Sequence, residues 1–281
     1  MFLTSFATVM RNRRGPELRE KPIVRKKHSR LPAVPDEISK GWVAVGFDIS
    51  LSSVAGAAFA WDAVTKRMKG PAFSMWRFSP EEDYFERLLL CVNSPNIVGE
   101  LQAELNVILP VKDVVIAVEE PFPAHGEFVQ RGNTQTLKQQ AEMSGAFLAG
   151  LYKWGYTNIM QISNQGWRSV IAREISYETG EDVTTYTKKW KNPQLALRYN
   201  CKPDDSGKFR AQQWATDVFE PWIVQQGGTE IPNFPPMIRS KSMKVPRPEK
   251  SHAKAFQPDD RFDALAMAEY ARVEAELTNA S

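Results

Sequence analysis

Cysteine is nearly absent from this chain of 281 residues, and Cys91 and Cys201 lie too far apart for a metal-binding pair. Neither a disulfide framework nor a zinc site is therefore expected, and a reducing compartment fits this usage best. Long hydrophobic runs are also missing. None approaches the ~20 apolar residues that a membrane helix needs. Charge of neither sign dominates, because 36 Lys and Arg face 33 Asp and Glu for a net charge of +3. With 42% hydrophobic and 25% charged residues, the composition is that of an ordinary globular protein with one large domain and tails.

The charge is unevenly spread. Residues 1–40 carry ten Lys and Arg against four Asp and Glu, so a basic arm precedes a near-neutral body. Such an arm suits a polyanionic partner, although a merely solvated tail has the same composition. Pro16, Pro22, Pro32 and Pro35 make the arm read as flexible. Residues 1–16 hold several Arg and no acid, as a mitochondrial targeting peptide would. Glu17 and Glu20 then interrupt that pattern. A cytoplasmic location, in a bacterium or a phage-infected host, is expected, with a mitochondrial one as the alternative.

The folded domain is expected over 41–281. Residues 42–49 (WVAVGFDI) are nearly all apolar and read as a central strand ending in an acid. Residues 53–61 and 71–78 read as two more strands, with a turn near Lys66–Gly70. This predicts an antiparallel meander. Helical spacing follows over 81–108, broken at Ser94-Pro95. Residues 113–118 form a buried strand running into Glu119-Glu120, 133–153 a helix, and 157–163 a fifth strand. A helix starts at 164–173, a polar insertion spans 174–207, and 208–226 is helical. A basic loop occupies 236–258, and a last helix covers 259–276. The predicted fold class is α/β, a mixed five-stranded sheet, antiparallel then parallel, flanked by helices.

Four acids stand at the ends of these elements. Asp48 closes the first strand, Glu119 the fourth, and Asp260 and Asp263 open the last helix on one face, with Met267 a turn later. Taken singly, Asp48 fits a turn acid, Glu119 a solvated strand end, and the two aspartates a helix-dipole pair. Taken together, carboxylates gathered from distant segments repel one another and call for a neutralising divalent cation. Mg²⁺ prefers carboxylates, water and phosphate oxygens, and two such ions ~4 Å apart support phosphodiester hydrolysis.

These residues carry a resemblance. Val45-Gly46-Phe47-Asp48-Ile49-Ser50, Ile116-Ala117-Val118-Glu119-Glu120-Pro121-Phe122, the small-residue run Gln140–Ala146, and Asp260-Arg261-Phe262-Asp263-Ala264-Leu265-Ala266 resemble the RuvC-type Holliday junction resolvases over about residues 42–275. The chain departs from the family at Ile49-Ser50, where Pro-Gly is usual. The resemblance implies an RNase H-like fold and a Mg²⁺-dependent endonuclease, with Mn²⁺ as a substitute, two ions in the site, and Asp48, Glu119, Asp260 and Asp263 as catalytic metal ligands. Glu120 is the less favoured substitute for Glu119. It further implies Phe122 as an aromatic inserted at the junction, Arg168, Lys208 and Arg210 as backbone-holding cations, and a homodimer through the 133–153 helix. Apart from the resemblance, Arg239, Lys241, Lys244 and Arg247 lie in the basic loop that leads into Asp260, and they are candidate DNA contacts. The competing readings are another RNase H-like nuclease acting on flaps, packaging intermediates or RNA–DNA hybrids, and a DNA-binding protein of the same fold that does not cleave.

Overall fold

The computed structural model describes residues 40–79, 81–93, 95–121, 134–183, 191–238 and 256–279. Of the basic arm over 1–40, all but Lys40 lies outside them. Strand β1 (Trp42–Ile49) pairs antiparallel with β2 (Ser53–Asp62), which pairs antiparallel with β3 (Arg67–Arg77). On its other edge β1 pairs in parallel with β4 (Val114–Glu119), and β4 in parallel with β5 (Ile159–Ile162). The resulting order β3-β2-β1-β4-β5 has the expected polarity, antiparallel then parallel.

Alternation along the strands gives the sheet two unlike faces. Val43, Val45 and Phe47 of β1, with Val114, Ile116 and Val118 of β4, enter a core of large side chains. Helices α1 (Tyr84–Val92), α2 (Pro95–Leu105) and α3 (Thr134–Lys153) cover that face. Phe47 meets Phe147 of α3 edge-on, with ring centroids 4.8 Å apart. Helix α1 starts at a capping box in which Asp83 and Glu86 satisfy each other's backbone N–H groups, a strong local start signal.

Toward its acid-bearing end the opposite face is lined by small residues, Ala44 and Gly46 of β1, Ala55 and Ala57 of β2, and Ala117 of β4, while Phe59 further along packs on Phe219 and Trp222. The last helix of the chain lies on this face and returns its own buried stripe, Ala264, Met267, Ala268 and Ala271. Small side chains on both partners bring this helix close to the sheet. That approach positions the acids at its first turn.

Helix α4 (Asn164–Thr179) begins at Ser163, whose hydroxyl accepts from Gly166 N, and ends at Gly180 with φ 70°. The polar insertion is therefore partly helical. Helix α5 (Pro193–Arg198) and a 3₁₀ turn (Pro203–Phe209) follow α4, joined by a stack of Tyr199 on Phe209 at 4.7 Å. Helices α6 (Arg210–Trp214) and α7 (Glu220–Gln225) flank one π-helical turn (Ala215–Phe219). Trp214, Phe219 and Trp222 from this run are buried. The basic loop is closed at its base, where β6 (Met237–Ile238) pairs with β7 (Phe256–Gln257). Helix α8 (Asp260–Asn279) is the last element.

Strand β3 begins earlier than expected. The turn sits at residues 63–66 with Lys66 at φ 51°, and Gly70-Pro71 lies inside the strand. An edge strand tolerates a proline there because the missing N–H costs no ladder bond on its outer side. The ladder to β2 also shifts register between Ala58 and Ala60. Cys91 and Cys201 are free thiols. Among the described residues no helix is long and apolar enough to cross a membrane.

Candidate metal centre

The face that receives α8 also receives the acids. Asp48 follows Gly46 by two residues and Glu119 follows Ala117 by two, so both carboxylates project toward α8. The parallel register pairing Phe47 with Val118 sets Asp48 and Glu119 side by side at the same end of the sheet. The first turn of α8 brings Asp260 and Asp263 over that end. Asp48 lies within electrostatic reach of Asp260, Asp263 and Glu119, with Arg168 as the opposing cation.

These groups strongly disturb one another. Burial, then the charges of Asp260, Asp263 and Glu119, holds the Asp48 carboxyl well above the usual range. Burial is also the largest influence on Asp263. Arg168 opposes it, and Glu119 and Asp260 add to it, leaving Asp263 at about 8. Burial raises Glu119, against a hydrogen bond from Asn164 and the nearby Arg168. Burial and Asp259 raise Asp260, against Ser53 and Arg77.

Neighbouring residues fix the geometry. Asn164 Nδ2, in the first turn of α4, donates to Glu119 Oε1 at 2.5 Å. Arg168 lies one turn further on the same helix face, over the Trp167 ring at 5.1 Å. The buried Arg168 Nε closes no hydrogen bond. Ser53 Oγ donates to Asp260 Oδ2 at 3.4 Å, from a turn held by Ser50 Oγ, which accepts from the N–H groups of Ser52 and Ser53. The start of α8 is clamped by Asp259, which accepts from Arg261 Nε and Nη2 at 2.9 and 2.7 Å. The Arg261 guanidinium lies 3.4 Å over the Phe234 ring, and Phe234 meets Phe262 and Phe73.

The four acids expected from the sequence thus converge from three separate segments. Glu120 is not among the groups that act on Asp48. Arg168 sits beside the cluster. Lys208 is exposed and paired with Asp205 at 2.9 Å.

Arg210 is a correction. Its side chain is fully buried, and its guanidinium is engaged by Glu181 at 2.7 Å and Gln213 at 2.7 Å. It anchors the insertion to α6 and does not present its charge to a ligand. Phe122, Arg239, Lys241, Lys244 and Arg247 lie outside the described residues. Reading the sequence alone missed Asn164, Trp167, Asp259, Arg261, Phe234 and Arg77. Only Asp259, next to Asp260 at a helix start, carried a local signal, as a capping acid.

The chemistry of the donor set determines which metal it suits. It consists of carboxylate oxygens, with no thiolate or imidazole among them. That suits a hard cation such as Mg²⁺ or Mn²⁺ and not zinc. Mutual repulsion among the acids is what a bound cation would relieve. Among the described residues no three such side chains stand already drawn into a ligand set. The residues fit the ion in kind.

Fold and site together define an α/β protein with a candidate divalent-cation centre of carboxylate oxygens on the α8 side of its sheet. The structure is similar to Thermus thermophilus RuvC solved with a Holliday junction substrate, with 12% identity over 84% of this chain and 96% of that one and a TM-score of 0.41. Another Thermus thermophilus RuvC structure matches at 15% identity, TM-score 0.39, over the same shares. The yeast mitochondrial Holliday junction resolvase Ydc2 matches at 12% identity, TM-score 0.39, over 84% of this chain and 80% of that one. No family model and no curated protein matches the sequence.

Proposed function

We propose that this chain is a divalent-metal-dependent endonuclease that cuts branched DNA, with the four-way junction as its substrate. The observation that carries the reading is the convergence of Asp48, Glu119, Asp260 and Asp263 on one end of the sheet, where burial and the charges of neighbouring acids raise the proton affinity of Asp48 and Asp263. A structural role does not account for this, because gathering like charges costs stability without a counter-ion. Asp48, Glu119, Asp260 and Asp263 would hold Mg²⁺, with Mn²⁺ as a substitute and two ions as the expected number. When bound, the metal supplies charge stabilisation at the scissile phosphate and a more acidic water.

The chain's own residues do the rest. Asn164 holds one oxygen of Glu119 and so orients the carboxylate. Arg168 offsets part of the acidic charge and offers a cation to the phosphate backbone. Lys208, exposed at the end of the 3₁₀ turn, adds a second backbone contact. Phe122 and the cations Arg239, Lys241, Lys244 and Arg247 are proposed contacts to the branch point and flanking duplex. A homodimer through α3 would present two sites for two cuts. Gly145 and Ala149, one turn apart, are exposed small residues on that helix, suited to close approach. A cytoplasmic location is proposed, with a mitochondrial one as the alternative.

The test offers four-way junction, flap, linear duplex and RNA–DNA hybrid with Mg²⁺ or Mn²⁺. Paired symmetric nicks in the junction are expected. Preference for a flap or hybrid would shift the substrate within the nuclease class. Binding without cleavage in either metal would overturn the enzymatic reading in favour of a DNA-binding protein.

A further inference from the structure

Arg77 is the last residue of β3, and its partner across the β2 ladder is Ser53. Ser53 Oγ donates to Asp260 Oδ2 at 3.4 Å. Arg77 therefore stands at the acid-bearing end of the sheet, on the Asp260 side, whereas Arg168 acts on Asp48, Glu119 and Asp263.

The guanidinium is held in an unusual way. Its Nε donates to Met75 Sδ at 3.4 Å and its Nη2 to Met237 Sδ at 2.9 Å. Thioether sulfur is a weak, uncharged acceptor. It orients the fork without neutralising it. Among the described residues no carboxylate comes within ion-pair distance of Arg77, although Arg198, Arg210, Arg261 and Arg272 each lie on one. Arg77 is also exposed, so its charge faces solvent, and Met237 opens the strand that leads into the basic stretch over 239–255.

An oriented, solvent-facing guanidinium that feels Asp260 only at a distance and makes no ion pair matches a phosphodiester oxygen, which the planar fork binds in two-pronged fashion. We propose that Arg77 binds a backbone phosphate flanking the one cut, so that the DNA strand passes over the acids between Arg168 on one side and Arg77 on the other. The inference rests on the nuclease reading. It assigns Arg77 a substrate-positioning role.

The test measures binding of a fluorescent four-way junction to the full chain, with Ca²⁺ replacing Mg²⁺, across a salt series. Arg77→Gln, Arg77→Lys and Arg67→Gln are compared with the parent, Arg67 being the exposed arginine at the far end of β3. Loss of one phosphate contact lowers the slope of log affinity against log salt by about one. Arg77→Gln is expected to show that drop, weaken binding by roughly ten-fold at low salt, and raise KM more than it lowers kcat. Arg77→Lys should keep the slope, and Arg67→Gln should match the parent. An unchanged isotherm and slope in Arg77→Gln would overturn the proposal. So would an unchanged slope with altered Mn²⁺ affinity in the absence of DNA, which would make Arg77 a charge partner of Asp260 alone. Failure of the parent protein to bind or cut any DNA would instead remove the nuclease reading, and this proposal with it.

Discussion

A side-chain carbon built on Gly46 would lie 2.0 Å from the carbonyl oxygen of Ala264 and 2.4 Å from the backbone nitrogen of Ala268. Both neighbours are backbone atoms of α8, so the helix cannot yield by a rotamer change. Gly46 thereby sets how closely the helix carrying Asp260 and Asp263 approaches the strand carrying Asp48. Gly46→Ala is expected to cost roughly 1–3 kcal/mol, the usual range for overpacking, and to weaken Mn²⁺ binding in the fraction that still folds. Urea unfolding and Mn²⁺ titration read the two effects. Parent-like values in both would show that the close approach is not required.

The carboxylates themselves make a sharper case. Asp48→Asn, Glu119→Gln and Asp263→Asn should each lower cleavage by at least ~10²-fold, since each removes part of several kcal/mol of charge stabilisation. Junction affinity in Ca²⁺ should stay within about two-fold, because backbone contacts come from other residues. Initial rates and gel-shift titrations decide the matter, and retained turnover would show that the ligand assignment is wrong.

Stability should depend on pH in the direction set by Asp263. Its carboxyl moves up from 3.8 to about 8 in the folded chain. A raised carboxyl favours folding while protonated. Its contribution is complete below about pH 4 and is lost as pH rises through about 8. In chelator-treated protein the thermal midpoint of the parent should therefore fall relative to Asp263→Asn between pH 5 and 9. The variant should gain ~1–3 kcal/mol at the upper end. Mg²⁺ should restore the parent there, because the metal takes the ionised form. A constant difference between the two across the range would contradict this.

Asn164 offers a test of the support around the ligands. Removing a residue that orients a metal-bound carboxylate typically weakens metal affinity 10- to 100-fold. Asn164→Ala should lower Mn²⁺ affinity by about ten-fold with little change in unfolding. Calorimetric titration without DNA is the readout, and an unchanged affinity would reduce the Asn164–Glu119 bond to packing.

Arg210 and Lys208 separate stability from binding. Arg210→Ala leaves Glu181 its bond from Asn192 and should cost roughly 1.5–3 kcal/mol in urea unfolding, the range for hydrogen bonds to a charged group. Lys208→Ala breaks only an exposed pair and should stay within about 0.5 kcal/mol. A stable Arg210→Ala protein with weakened DNA binding would reinstate Arg210 as a contact.

Much of this arrangement was legible in the chain itself. The nearly all-apolar stretch Trp42–Ile49, the strand ending at Glu119 and the Asp-x-x-Asp of the last helix rely on local periodicity, which survives tertiary packing. The start of β3 was misplaced because Gly70-Pro71 reads as a turn wherever the strand's edge position is unknown. Arg210 misled for a similar reason. A cation between polar residues looks solvated, and only the fold shows Glu181 folded back over it. Asn164, Phe234 and Arg77 were invisible because each owes its role to a partner far off in sequence, Glu119 for Asn164, Arg261 for Phe234 and Met237 for Arg77.

The two flanks of the sheet are unequally protected. Beyond β3, Met68 N–H donates to Gln226 and Thr229 N–H donates to Gly70, so the start of that border is covered by the chain that follows α7, and Pro71 removes one donor beside it. Beyond β5 no further strand is paired among the described residues. Unwanted strand-to-strand growth of aggregates needs a long open row of amides and carbonyls; at β5 that row is four residues long, too short to template a long ladder, and at β3 the covered start and Pro71 shorten it.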